Sequence, residues 1–183
     1  MTPELEPLAL SQRWVERVVI GLNLCPFARA VQVRGQIRFC LSAAKTGAEL
    51  RHDLRSELTA LATADPQIVD TTLLVHPDVL QDFQDYNDFL ADADAELVEL
   101  GLEGTLQIAS FHPDYCFGDS EPNDPANYTN RSPFPMLHLL REASVSRAVD
   151  SFPETSRIYE RNVALLRALT PEELLGLLRD TTP

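Results

Sequence analysis

Residues 127–150, NYTNRSPFPMLHLLREASVSRAVD, decide how the last third of this chain is built, because a dense apolar run follows directly on a polar stretch. Ser132 before Pro133 has the form of a helix N-cap with proline at the first helical position, where the missing N–H costs nothing. The spacing predicts a helix over 133–149, with Met136, Leu137, Leu139 and Leu140 on its apolar face. On such a helix His138, Arg141 and Glu142 stand at i, i+3 and i+4 and share one polar face.

Downstream, Ser151 with Glu154 and Thr170 with Glu173 form two capping boxes, predicting helices over 153–169 and 171–179. Upstream, Leu10, Trp14, Val18 and Leu22 repeat at fours and predict a helix over 8–22. A segment without a clear period follows, with room for one short helical turn. Ile37, Phe39 and Leu41 alternate with polar neighbours, as in a strand over 36–42. A capping box, Thr46 with Glu49, opens a helix bearing Leu50, Leu54, Leu58 and Leu61, which stops before Asp65-Pro66 because the residue before proline is pushed out of helical space. A second strand spans 71–77, and a long amphipathic helix runs from Val79 through Phe83, Tyr86, Leu90, Ala93 and Leu97 to Leu100. A third strand, 105–113, leads into a polar loop, 114–131. The order implies an α/β fold in one domain, 1–183: a small, mostly parallel sheet of three strands, or four, with helices on both faces and a helical C-terminal third.

Charge is divided unevenly along this frame. The chain has 28 Asp/Glu against 15 Lys/Arg, yet no base occurs between Arg55 and Arg131, a stretch holding 16 of the acids. Such a field repels a phosphate backbone, and no basic stripe with interleaved aromatics exists, so a nucleic-acid partner is excluded. Three cysteines, Cys25, Cys40 and Cys116, offer neither a disulfide framework nor a CxxC pair. The N-terminus lacks a secretory pattern and no apolar run is long enough to span a membrane, so a cytoplasmic protein without a membrane partner is expected. Oligomeric state is not legible from these features.

In an open parallel sheet, ligands bind outside the carboxyl ends of the strands. Those ends carry Ser42, then His76 and Asp78, then His112 and Asp114. For His76 the structural reading is preferred, with Asp78 capping the next helix; His112 opens the long loop and is the better functional candidate. Arg131 and the helix start after it form a candidate anion site, with turn formation by Asn127, Asn130 and Ser132 as the alternative. A metal held by His112, Asp114, His138 and Glu142 is a weaker reading that matches no zinc signature. Cys25, between helix and proline, is a candidate nucleophile if His112 or His138 approaches it, and otherwise packs inertly, as Cys40 does. Asn162 lies on an apolar stripe, where its amide either fastens two elements or reaches into the site.

The segments GLNLCPFA (21–28), ASFHPDY (109–115) and NYTNRSPFPMLHLLRE (127–142) resemble those shared by an uncharacterised family of bacterial proteins of about this length, known only as a domain of unknown function. The likeness covers essentially the whole chain and implies no activity, substrate or cofactor. It implies that Cys25, His112, Asn130, Arg131, His138, Arg141 and Glu142 belong to the family's characteristic motifs. Cys116 departs from the pattern and is given no role.

The leading expectation is an enzyme, a hydrolase or group transferase, acting on a small anionic metabolite. Arg131 and Arg141 would bind the anion, together with Asn130, His138 and Glu142; His112 is the general acid/base and Cys25 the nucleophile. A non-catalytic ligand sensor or interaction module, in which the same cations fasten the loop, is the rival; the metal protein is the third.

Overall fold

The computed structural model describes residues 6–151 and 156–179. Four strands, β1 (Ile37–Leu41), β2 (Thr71–Val75), β3 (Leu106–Phe111) and β4 (Met136–Arg141), form one sheet in the order β1-β2-β4-β3. β1 and β2 are parallel, whereas β4 runs antiparallel to both β2 and β3. The three strands expected from the sequence therefore point the same way, but β4 separates two of them. Its insertion makes the sheet mostly antiparallel.

The expected helix over 133–149 is thus half wrong. Residues 136–141 are strand, and only Glu142–Ser151 is helical. The physical reason is burial on both faces: a central strand needs apolar side chains on each side, so its sequence shows no polar alternation and matches a helical stripe equally well. Pro133 and Pro135 contribute by pushing Ser132 and Phe134 towards extended backbone. The Ser132 hydroxyl donates to the Phe134 carbonyl at 2.6 Å and caps no helix.

Helices cover both faces of the sheet. On one, α3 (Gly47–Thr63) and α4 (Phe83–Glu99) pack Leu50, Leu54, Leu58, Leu61, Tyr86 and Leu97 over Leu74, Leu106, Leu137 and Leu139. Each fully buried leucine contributes roughly 2 kcal/mol of transfer free energy. The α3 capping box forms as expected, Thr46 accepting from the Glu49 N–H at 3.2 Å while Glu49 accepts from the Thr46 N–H at 3.2 Å. α4 begins later than its apolar spacing suggests, because Asp82, and not Asp78, accepts from the N–H groups of Gln84 and Asp85. Asp78 pairs instead with Lys45. Glu96 of this helix is buried between Arg51 and Arg55 of α3.

On the other face lie α1 (Glu6–Trp14), its continuation Val15–Ile20 wound as a π-helix, α6 (Ser156–Arg167) and α7 (Pro171–Arg179). They bury Trp14, Val15, Val18, Leu166 and Leu174 over Leu73, Val75 and Met136. The expected short turn is α2 (Ala28–Val33), and α5 (Glu142–Ser151) follows β4 without a loop. The Thr170–Glu173 box is present, whereas Glu154 of the other expected box lies outside the described residues. Among the described residues no helix is long and apolar enough to cross a membrane.

Candidate functional site

The carboxyl ends of β1, β2 and β3 do gather the expected histidines, but there they are structural. His76 and His112 are fully buried. His112 accepts the Asp114 N–H at Nδ1 (3.0 Å) and donates from Nε2 to the Leu80 carbonyl (3.2 Å), so both ring nitrogens are occupied by backbone. Leu80 sits at φ 54°, in the left-handed region that a leucine rarely adopts, and its carbonyl is the one that meets His112. Burial pushes the His112 imidazolium below its usual range, and that of His76 down to about 4. Tyr86 fills the remaining space, donating to the Met136 carbonyl at 2.9 Å and accepting from the Phe111 N–H at 3.0 Å.

The loop residues are likewise used locally. Arg131 donates to the carbonyls of Tyr115 (3.1 Å) and Pro122 (2.7 Å), with its guanidinium 4.7 Å from the Tyr128 ring centre. Asn130 donates to the Ser110 carbonyl at 3.0 Å, and Asn127 to that of Glu121 at 2.8 Å. These bonds fold the 114–131 loop back on the end of β3. This is the turn-forming alternative in atomic detail.

Strand geometry also separates His138, Arg141 and Glu142. Alternation along β4 sends His138 to the α1 face and Arg141 to the α3 face, so the shared helical face does not exist. Arg141 is buried and donates to the carbonyls of Leu61 (2.6 Å), Ala64 (2.8 Å) and Val69 (3.1 Å). A cation there satisfies the orphan carbonyls at the C-terminus of α3 and matches its dipole. Glu142 begins α5 beside Thr105, at the end of β3 opposite to His112, roughly 20 Å away at the rise of a strand. The metal set His112, Asp114, His138 and Glu142 is therefore not assembled, and among the described residues no cluster of three or more His, Cys, Asp or Glu side chains could hold a metal.

A cavity of about 830 Å³ lies instead over the α1 face of the sheet, roofed by the π-helical segment, α2 and α5. Cys25 and His138 both line it, with Trp14, Val19, Leu73, Phe111 and Thr71. The π-helical turn is followed by Asn23 at φ 55°, and the Asn162 amide of α6 donates to the Leu24 carbonyl at 2.8 Å. Asn162 therefore fastens two elements, anchoring the turn that presents Cys25.

The protonation of His138 follows from its partner. Thr71 Oγ1 lies 2.6 Å from the Leu139 carbonyl and must donate its only proton there. His138 Nε2, 2.7 Å from the same hydroxyl, must then carry the proton of that contact. Nδ1 is left as a bare acceptor with no partner among the described residues. Burial pushes the imidazolium down to about 4, so the ring is neutral at pH 7. Cys40, by contrast, lies across the sheet, where burial and Glu57 push its thiol up to about 11.

Sequence reasoning missed the charged rim of this cavity, Arg34, Asp70 and Arg147. They come from three separate segments, and no local spacing links them. Arg34 donates to the Gln36 side chain at 2.5 Å, Ser144 donates to Asp70 at 2.6 Å, and Arg147 donates to Ser144 at 2.9 Å.

Fold and site together define a mixed α/β protein with one central four-stranded sheet and a cavity on one face holding a thiol and a neutral imidazole. The chain belongs to DUF1415, a family described as protein of unknown function, whose model matches residues 7–175. No curated protein and no solved structure matches it.

Proposed function

We propose that this protein is an enzyme, of the hydrolase or group-transfer kind, acting on a small molecule bound in the cavity between the sheet and α2 and α5. Cys25 is the nucleophile, and His138, not His112, is the group that accepts a proton or hydrogen bond at Nδ1. The observation that carries the reading is that Cys25 and His138 line one cavity whose size suits a small ligand. Its supporting frame is the π-helical turn, a departure from regular helix frequent at functional sites.

The test is competitive alkylation with iodoacetamide at pH 8. Cys25 is expected to label faster than Cys40 and Cys116, and a His138→Gln variant to slow Cys25 alone. Equal, slow labelling of all three thiols defeats the catalytic role. A non-catalytic ligand sensor is the second reading, favoured by the fact that His112, Asn130, Arg131 and Arg141 donate to backbone carbonyls. Ligand binding that persists unchanged in a Cys25→Ser variant, with no turnover by the parent, selects it.

A further inference from the structure

The cavity's walls and rim differ in chemistry. Trp14, Val19, Leu73, Phe111, Leu140 and Val145 make the wall apolar, and the fixed charges among its lining residues are Arg34, Asp70, Arg141 and Arg147. A hydrogen-bond chain gathers three of these at one end. Arg34 bonds Gln36; the Gln36 carbonyl accepts the Asp70 N–H at 3.0 Å; Asp70 accepts from Ser144, which accepts from Arg147. Both guanidiniums are therefore tethered to the same sheet edge, where β1 and β2 begin. Arg141 directs its charge to the end of α3 on the opposite face of the sheet.

Two guanidiniums against one carboxylate leave one unit of positive charge at this rim. Arg34 and Arg147 are exposed, and each bonds a neutral side chain, leaving N–H groups of its fork to grip a carboxylate. From Asp70 at the rim to Leu73 on the apolar wall is three residues of β2, roughly 10 Å.

We infer that the ligand is an apolar carboxylic acid, its body lying along the sheet face from Trp14 and Leu73 outwards and its single negative charge held between Arg34 and Arg147. This assignment rests on the cavity being the small-molecule site and adds the class of molecule that it takes. The body is of the order of 10 Å long, and His138 Nδ1 stands beside it as an acceptor for a hydroxyl or amide N–H carried by the ligand.

Trp14 is the only tryptophan of the chain and lines the cavity, so its emission reports occupancy directly. The probes are 8-bromooctanoate, 8-bromooctanol and 8-bromooctyltrimethylammonium, in which bromine quenches indole on contact. Saturable quenching is expected in the order acid, alcohol, cation, the acid binding at least about tenfold more tightly than the alcohol. An Arg34→Gln, Arg147→Gln double variant, both positions exposed, is expected to remove that preference and leave the alcohol unchanged. If the alcohol binds as well as the acid, or the cation binds better, the carboxylic acid assignment is overturned while the cavity reading stands. If none of the three quenches Trp14, the cavity reading fails and the assignment fails with it.

Discussion

Replacing His138 by Gln tests whether this partly buried ring is a neutral base, and the size of the effect can be worked out beforehand. An unfolded histidine protonates near 6.5, whereas His138 in the folded chain protonates only at about 4. Well above pH 6.5 both states are neutral and the ring contributes nothing to pH dependence. As pH falls below 6.5 the unfolded state takes up a proton that the native state refuses, so stability is lost progressively until about pH 4. Between pH 7 and pH 5 the two proton affinities make this loss about 2 kcal/mol for His138 alone. His76, also held down to about 4 by burial, adds a similar amount, and His112 is shifted in the same direction. Against a typical domain stability of about 5–15 kcal/mol, such a loss brings the chain near unfolding in mild acid. Asp124 and Glu173 titrate below their usual carboxylate values and leave this window undisturbed. Urea unfolding at pH 7, 6 and 5 is the assay, with parent and His138→Gln compared by the change in stability across the series and not by stability at one pH. The variant should lose about 2 kcal/mol less than the parent over the two units. Identical pH dependence would refute the assignment of His138 as neutral.

Two further outcomes follow from groups that bond backbone carbonyls. Arg141→Met leaves the Leu61, Ala64 and Val69 carbonyls without their donor, and thermal unfolding should fall by about 3 kcal/mol, or about 6–12 °C, with Trp14 quenching by the brominated acid retained. Arg131→Ala releases the 114–131 loop, so limited proteolysis should cut between Tyr115 and Asn127 many times faster while acid binding is unchanged; loss of binding at unchanged cleavage would return Arg131 to the ligand site.

The strands and helices with one buried face were readable because burial imposes a period. Leu50, Leu54, Leu58 and Leu61 mark α3, and its capping box marks its start to the residue. β4 was not readable in that way. Met136 and Leu137 point to opposite faces and are both fully buried, so the strand carries no polar alternation to distinguish it from a helical stripe. The same ambiguity hid the direction of the sheet, since everything about its parallel or antiparallel character depends on this one element. Among the candidate site residues, Cys25 and His138 do share a cavity, while His112, Asn130, Arg131 and Arg141 are engaged with backbone carbonyls. Residue type reveals a donor but not its acceptor, and backbone carbonyls leave no mark in sequence. The rim pair Arg34 and Arg147 was out of reach for a different reason: they are linked only through Gln36, Asp70 and Ser144 in three dimensions.

The place of β4 bears on how the chain comes to be folded at all. The last strand to leave a ribosome is an inner strand of the sheet, pairing with β2 some sixty residues behind it and with β3 about thirty behind. Until Arg141 has emerged, β2 and β3 each present an unpaired edge, α3 lacks the guanidinium at its C-terminus, and Tyr86 lacks the Met136 carbonyl to which it donates. Non-local closure of this kind is slow and exposes sticky edges in the interval. Synthesis interrupted between residues 112 and 135 therefore leaves β2 and β3 without the strand that joins them, an aggregation-prone fragment and not a smaller version of the protein.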